Sequence, residues 1–183
     1  MTSQAYQRIE MNHITIRKEQ LEDRQAVYTV HRLAFGQDEE AILVDRLREN
    51  KQAFIPDLSL VATFGQEITG HILFTEIRIV NGNGEEFASL ALAPVSVAPG
   101  FQRKGIGSML IRHGLEVAGQ LGYQSAVVLG HATYYPRFGF RPAKTWDIKA
   151  PFNVPDDAFM ATELVKDGLS GVSGTVRYPD EFG

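Results

Sequence analysis

A short glycine-containing segment with polar and basic side chains is the part of the sequence that most clearly predicts chemistry. It runs from Pro99 to Ser108, between an apolar β-branched stretch and a run with helical spacing. This order predicts a strand, a tight turn and a helix N-terminus, whose unpaired N–H groups attract anions. Gly105 and Gly107 carry no Cβ to keep a phosphate away from those amides, and they accept positive φ. Further donors and positive charge come from Gln102, Arg103 and Lys104. The segment therefore predicts a phosphate or pyrophosphate site.

Three phosphate-binding patterns can be compared with this segment. A P-loop requires Lys-Ser/Thr where this chain has Ile106-Gly107, and a dinucleotide fingerprint requires a third glycine where it has Leu110. The pattern Gln/Arg-x-x-Gly-x-Gly/Ala after a strand ending Val-x-Pro is matched at every defined position by residues 97–99 and 102–107. Through this motif the sequence resembles the GNAT family of acetyl-CoA-dependent N-acetyltransferases. The alternative interpretation is an ordinary strand–helix turn that needs glycine only for its geometry.

A second motif extends the resemblance. Residues 135–140 read Tyr-Pro-Arg-Phe-Gly-Phe, which is similar to the Tyr-x-x-x-Gly-Phe that closes the fourth helix of the family. The similarity covers roughly Ile14 to Pro155 and implies an α/β fold whose mixed sheet splays open beside the cofactor. Many members carry an asparagine shortly before that helix, whereas residues 130–133 of this chain contain none. A contact between such an asparagine and the cofactor is therefore not expected here.

The resemblance also implies where acetyl-CoA lies. It would occupy the opening between the strand ending at Val97 and the strand ending at Gly130. Its pyrophosphate would lie on the amides of residues 103–108, and its pantetheine arm would pair with the backbone of Val95 and Val97 like an added strand. The expected cofactor-binding residues are Val95, Ser96, Val97, Gln102, Arg103, Lys104, Gly105, Ile106, Gly107, Ser108 and Tyr135.

Catalytic roles follow from the same resemblance. The N–H of Val95 would polarise the thioester carbonyl, and Tyr135 would be the general acid for the departing thiolate. The alternative for Tyr135 is a core residue with its hydroxyl at the surface, while Tyr134 is expected to be the packing residue. Glu76, on a long predicted strand, is the candidate general base. His71 and His131 are alternatives to it, and for all three a structural role is also open. No metal-ligand spacing is present, so no metal is expected.

Composition limits the classes of function. The chain has 183 residues, of which 44% are hydrophobic and 22% charged, and this is typical of one soluble globular domain. A net charge of −4 disfavours a nucleic-acid binder and suits a cationic acceptor such as an amine. No apolar run is long enough for a membrane span. The chain contains no cysteine, which excludes a covalent acyl-cysteine route and favours the cytoplasm.

The sequence pattern predicts a single domain spanning residues 1–183, in which the order β-α-α-β-β-β-α-β-α-β is followed by two further strands. Its parts are a flexible leader at residues 1–12, a GNAT-like core at 14–155 and a C-terminal strand extension at 156–183. Proline cannot donate to a sheet, so a break or bulge is expected near Pro94-Val95. The predicted strands are at 13–18, 58–63, 68–80, 87–97 and 124–130, with an extended piece that starts at 140–142 and two further strands at 159–165 and 172–178. The predicted helices are at 20–35, from Asp38 onward and at 105–121, with a helical turn at 134–138 closed by Gly139.

These observations favour an N-acetyltransferase that moves the acetyl group of acetyl-CoA to a primary amine of a small molecule or short peptide. The amine would attack the thioester directly in a ternary complex. Two alternatives share the cofactor residues, namely a protein N-terminal or lysine acetyltransferase and a non-catalytic acyl-CoA-binding sensor. A homodimer is possible, whereas nucleic acid and membrane partners are not expected.

Overall fold

The computed structural model describes residues 13–183, so the leader predicted at residues 1–12 lies outside the described part of the chain. The elements are β1 (Ile14–Lys18), α1 (Arg24–Phe35), α2 (Glu39–Glu49), β2 (Phe54–Phe64), β3 (Glu67–Val80), β4 (Glu86–Val97), α3 (Ile106–Gln120), β5 (Ser125–Leu129), β6 (Arg141–Pro142), β7 (Ile148–Lys149), β8 (Phe159–Glu163) and β9 (Gly174–Arg177). The helical turn predicted at 134–138 is a 3-10 turn at Tyr135–Phe138, and it ends at Gly139 as expected.

The strands form one mixed sheet. Its main path runs β1-β2-β3-β4-β5-β8-β6, while β9 pairs with both β3 and β7. Neighbouring strands are antiparallel except at β4–β5 and β7–β9. This arrangement confirms the predicted α/β class and the mixed sheet.

Helices cover the two faces of this sheet. On one face α3 packs through Leu110 and Ile111 against a core that includes Phe74. On the other face α1 and α2 bury Val27 and Leu47, among others, over β2 and β3. Apolar residues at helical spacing on α3 produce the first contact, and consecutive apolar residues of β3, which point to opposite faces of the sheet, take part in both.

The sheet opens between β4 and β5. These two strands pair only at Leu90 with Ala126 and at Ala91 with Val127, and beyond that point they separate. Within β4, Leu92 and Val95 both pack toward α3 although three positions separate them, since the register against β3 shifts between them. This is the irregularity predicted near Pro94-Val95, and an extra residue of this kind bends a strand. The bend lies at the mouth of the resulting cleft.

Two features differ from the sequence prediction. β2 begins at Phe54 rather than at residue 58, because a register shift between Phe54 and Ser59 accommodates Pro56, which has no N–H to donate. The short strand β7 was not predicted, since two residues carry no periodicity. Along residues 13–183, no helix combines the length and the apolar character needed to cross a bilayer.

Candidate active site

The turn before α3 has the backbone conformation of an anion-binding loop. Gly105, the N-cap of α3, has φ of 84°, and Arg103 has φ of 61°, so two residues close together adopt the left-handed region. Such a turn brings successive N–H groups toward one point in front of a helix N-terminus. The Gln102 side chain donates from Nε2 to the Val97 carbonyl at 3.0 Å. This bond fixes the turn onto the end of β4.

A pocket of about 370 Å³ lies in front of these amides. Ten residues line it, namely Val97, Phe101, Gln102, Arg103, Gly105, Ile106, Gly107, Ser108, Tyr134 and Arg137. A Cβ on Gly107 would lie 3.4 Å from the Tyr134 hydroxyl, so the glycine keeps the floor of the pocket open. The Lys104 ammonium lies 5.6 Å from the centre of the Phe101 ring at the same turn. The structure thus brings together the polar, basic and glycine residues that the motif predicted here.

Tyr134 and Arg137 are pocket residues that the sequence analysis missed. Tyr134 was expected only to pack, but its hydroxyl lies 3.5 Å from the Ser108 hydroxyl, and the Arg137 guanidinium lies 4.7 Å from the centre of its ring. A phenol and a guanidinium at a helix N-terminus are suitable donors to a phosphate. The signal for them is position, since Arg137 lies within the second motif and Tyr134 directly before it, although the sequence indicates a function only for Tyr135.

Tyr135 lies at the end of β5, on the side of the cleft opposite β4. Its ring packs against Phe138 and Phe140, and a Cβ on Gly130 would lie 2.3 Å from it. Burial raises the pKa of Tyr135 to about 12, with a smaller contribution from Tyr134. The phenol is therefore protonated at neutral pH and can donate a hydrogen bond or a proton.

Val95 and Ser96 lie on β4 just after its irregularity, and their side chains point to opposite faces of the sheet. Val95 packs toward α3, whereas the Ser96 hydroxyl lies 2.9 Å from Nδ1 of the buried His31 on α1. His31 Nε2 in turn lies 2.8 Å from His71 Nδ1, and His71 Nε2 lies 2.9 Å from the Ser59 hydroxyl. A continuous chain of hydrogen bonds therefore joins β4, α1, β3 and β2.

The Ser59 end of this series of hydrogen bonds fixes the direction of every hydrogen bond in it. Ser59 donates to the Glu19 carboxylate at 2.7 Å, and Glu19 is held by the buried Arg48. Since a carboxylate can only accept, Ser59 must accept from His71 Nε2–H, and His71 Nδ1 must accept from His31 Nε2–H. Ser96 then donates to His31. Burial, the largest cause, lowers the pKa of His31 to about 2 and that of His71 to about 3, so both rings are neutral.

Glu76, predicted as the general base, is not brought to the cleft. Its carboxylate accepts from the Tyr123 hydroxyl at 2.7 Å and pairs with Arg78 at 2.6 Å. Tyr123 follows the C-terminus of α3, whereas the anion-binding turn precedes its N-terminus, about 22 Å away for a helix of this length. Glu76 also lies opposite Leu90, where β4 and β5 are still paired. We therefore correct that prediction.

The two alternative bases differ in their surroundings. Both ring nitrogens of His71 are occupied by the buried chain, so it offers no free nitrogen to an amine. His131 is exposed and lies two residues after β5, and its carbonyl accepts hydrogen bonds from the Tyr134 and Tyr135 N–H groups. Among residues 13–183, no group of three or more His, Cys, Asp or Glu side chains is placed to hold a metal ion.

Comparison with known proteins decides the family. A family model described as an acetyltransferase (GNAT) domain matches residues 15–143, which is more than half of the chain. The chain belongs to the GNAT family. The resemblance found in its two motifs is thereby confirmed, and this GNAT protein is an acetyl-CoA-dependent acyltransferase by family.

Named relatives match the GNAT chain over nearly its whole length. It is 37% identical over 179 residues to the uncharacterized N-acetyltransferase YjhQ of Escherichia coli K12, covering 94% of this chain and 97% of the relative. It is 32% identical over 161 residues to the uncharacterized N-acetyltransferase YhbS of the same strain, covering 87% of this chain and 93% of the relative.

Solved structures of GNAT proteins share the fold. Escherichia coli YhbS in complex with CoA superposes with a TM-score of 0.85 at 30% identity, covering 93% of this chain and 92% of that one. A GNAT family acetyltransferase from Brucella melitensis in complex with acetyl-CoA superposes with a TM-score of 0.75 at 32% identity, covering 93% of this chain and 99% of that one. The splayed sheet expected from the family is therefore the architecture of this chain.

Proposed function

We propose that this GNAT protein transfers the acetyl group of acetyl-CoA to a primary amine of a small molecule or short peptide, by direct attack in a ternary complex. The observation that carries the proposal is the cleft between β4 and β5, which has an open helix N-terminus at one end and Tyr135 on its wall. The CoA complexes of the two similar structures support the choice of co-substrate.

The chain's own residues fit the diphosphate of acetyl-CoA. The amides of residues 103–108 and the side chains of Ser108, Tyr134 and Arg137 supply donors to it, and the two left-handed residues aim those amides at one point. The backbone of Val95 and Val97 pairs with the pantetheine arm, because the edge of β4 that faces β5 has no strand partner beyond Ala91.

The chemical step exchanges one bond for another. The amine nitrogen attacks the carbonyl carbon, the C–S bond breaks, and the thiolate leaves while the new amide nitrogen loses a proton. The N–H of Val95, at the bend of β4, stabilises the developing oxyanion, a contribution of about 3 kcal/mol where one such donor has been removed from other enzymes.

Tyr135 acts on the departing thiolate. A phenol with a pKa of about 12 is a weaker acid than a thiol with a pKa of about 8.5, so its main contribution is a hydrogen bond to the sulfur as charge develops. Solvent then supplies the proton that completes free CoA. The proton of the amine leaves through His131 or water, since His131 is exposed beside the cleft.

An amine screen for CoA release tests this function, with Gly107→Val as the diagnostic variant. A branched side chain at residue 107 would meet Tyr134 and Val97, whose nearest atoms lie 3.4 and 3.8 Å from a Cβ there. We expect the KM for acetyl-CoA to rise at least tenfold. The control Gly82→Ala, with nothing within 4 Å of the added Cβ, should match the wild type. Absence of CoA release with every amine would refute the enzyme and leave the acyl-CoA-sensor alternative.

The finer parts of the function stay predictions. Transfer to a protein N-terminus or lysine would use the same cofactor residues, and the screen separates it by including peptide acceptors. A homodimer and a cytoplasmic location are also retained as predictions, the latter because the sequence has no cysteine.

A further inference from the structure

A second cavity, of about 590 Å³, lies on the face of the sheet away from α3. Its walls come from β3, β4, β5, β9, the segment after β7 and the residues that follow β9. The lining residues are Val80, Ala93, Leu129, Pro151, Phe152, Thr175, Val176, Arg177, Tyr178, Phe182 and Gly183. Val176 at its wall also belongs to the core on that face.

The position of this cavity connects it with the cleft. Ala93 and Leu129 each lie two residues beyond the last paired positions of β4 and β5, Ala91 and Val127. The cavity therefore opens where the two strands begin to separate, while the anion-binding pocket lies at the N-terminus of α3 on the opposite face. A thioester in the cleft would have its pantetheine arm toward one face and its carbonyl within reach of the other.

The lining is aliphatic and aromatic. The rings of Phe152 and Tyr178 stack with centroids 6.1 Å apart, and Phe182 lies 5.1 Å from Tyr178. Burial raises the pKa of Tyr178 to about 12, so that hydroxyl is neutral. Aromatic faces attract an ammonium group and an apolar body alike.

Charge at the cavity is sparse. Of the described side chains that line it, Arg177 is the only charged one, and it pairs with Glu86 at 2.7 Å. Because the Arg177 guanidinium is paired with Glu86, its charge is largely balanced at the wall. The cavity therefore selects an acceptor by its apolar and aromatic surface rather than by charge.

We propose that this cavity binds the acceptor and that the acceptor is a small primary amine carried on an apolar, aromatic body, such as an arylalkylamine. The inference rests on the proposed function and names its substrate class. The cavity volume falls in the range of sites for small molecules, about 300–1,000 Å³. The aromatic walls would hold the body, and the amine would point past Ala93 and Leu129 into the cleft.

Steady-state kinetics with 2-phenylethylamine, spermidine and an alanine-headed tetrapeptide test the substrate class. We expect the highest kcat/KM for 2-phenylethylamine. Phe152→Ala should raise the KM for this amine at least tenfold while the KM for acetyl-CoA changes less than twofold. Phe152 is 46% exposed, so its removal should not prevent folding. Leu121→Ala, at a residue 45% exposed after α3, is the matched control and should leave both constants unchanged.

The outcomes separate this inference from the proposed function. Acetyl transfer with higher kcat/KM for spermidine or the tetrapeptide, or an unchanged KM in Phe152→Ala, would overturn the inference alone. The same assays are repeated with octanoyl-CoA in place of acetyl-CoA. A KM change in Phe152→Ala that appears only with octanoyl-CoA would also overturn the inference, because the cavity would then hold the acyl chain. Calorimetry of 2-phenylethylamine with CoA-saturated protein measures binding without turnover. Binding that Phe152→Ala weakens tenfold supports the inference, and no binding to the wild type overturns it.

Discussion

The missing side chain of Gly130 shows how one residue places the candidate acid. Any Cβ there would enter the ring of Tyr135, so the ring can lie against the end of β5 only because residue 130 is glycine. Phe138 and Phe140 hold the other sides of the ring. The orientation of Tyr135 therefore depends on the packing of Gly130 and of the rings of Tyr134, Phe138 and Phe140 around it.

Replacing Tyr135 with phenylalanine should lower kcat by about ten- to a hundredfold, because it removes one hydrogen bond to the developing thiolate, worth about 1.5–3 kcal/mol. The KM for acetyl-CoA should stay within a factor of two, because the ring and its packing remain. Initial rates of CoA release at saturating amine measure this effect.

Tyr134→Phe is the matched control, because it removes the neighbouring hydroxyl. That hydroxyl lies by Ser108 in the anion pocket, so we expect a higher KM for acetyl-CoA with little change in kcat. An unchanged kcat in Tyr135→Phe, or a loss of kcat in Tyr134→Phe instead, would show that the acid is assigned to the wrong tyrosine.

The buried histidine pair makes stability depend on pH. In the unfolded chain both rings titrate near pH 6.5, while burial keeps their folded pKa values at about 2 and about 3. Below pH 6.5 the unfolded state therefore binds more protons than the folded state, and stability is lost as the pH falls toward 3. Glu19, Asp23 and Arg48 are the charged groups that act on the pair.

The expected loss in the free energy of unfolding between pH 7 and pH 5 is about 3–4 kcal/mol for the two histidines together. Urea unfolding at the two pH values measures it. His131→Asn, which removes an exposed histidine, should retain the same dependence. Equal stability at pH 7 and pH 5 would mean that the pair accepts protons within the fold.

At the scale of elements, α3 carries both the anion-binding turn and the main contact with the sheet. Two glycines on this helix have opposite surroundings. A Cβ on Gly114 would lie 2.3 Å from the ring of the fully buried Phe74, whereas on Gly119 the nearest atom would be the Leu164 carbonyl oxygen at 3.7 Å. The first glycine permits close packing, and the second only weakens the helix.

We expect Gly114→Ala to destabilise the protein by about 1–3 kcal/mol through overpacking. Gly119→Ala should stabilise it by up to about 1 kcal/mol, because alanine is the better helix former. Urea unfolding of both variants at pH 7 measures the difference. Similar stabilities for the two would show that α3 can move away from β3 at low cost.

The sequence predicted the features that depend on residues close together in the chain. The apolar and β-branched residues of β3, the spacing in α3 and the Gln102–Gly107 motif were sufficient to predict the strand, the helix and the turn. Contacts between distant segments were not predictable. The pairing of His31 with His71 spans 40 positions, and nothing local to Glu76 indicated that Tyr123 would hold it.

At the scale of the whole molecule, ligand binding should appear as a change in thermal stability. A ligand present at a hundred times its Kd adds about 2.7 kcal/mol to the folded state. For a chain of this size that raises Tm by about 5–10 °C. Thermal unfolding with and without CoA measures the shift, and Gly107→Val, if its affinity falls tenfold or more, should reduce it to about half or less at the same CoA concentration. A wild-type Tm that CoA leaves unchanged would contradict the assignment of the pocket.

The opening between β4 and β5 has a consequence for how the protein behaves in concentrated solution. Past Ala91 and Val127, each strand presents backbone donors and acceptors that another polypeptide could pair with. When the pantetheine arm of CoA covers the β4 edge, that edge can no longer pair with another polypeptide. Bound CoA would therefore keep the enzyme soluble, and protein stripped of CoA should self-associate at a lower concentration than CoA-bound protein.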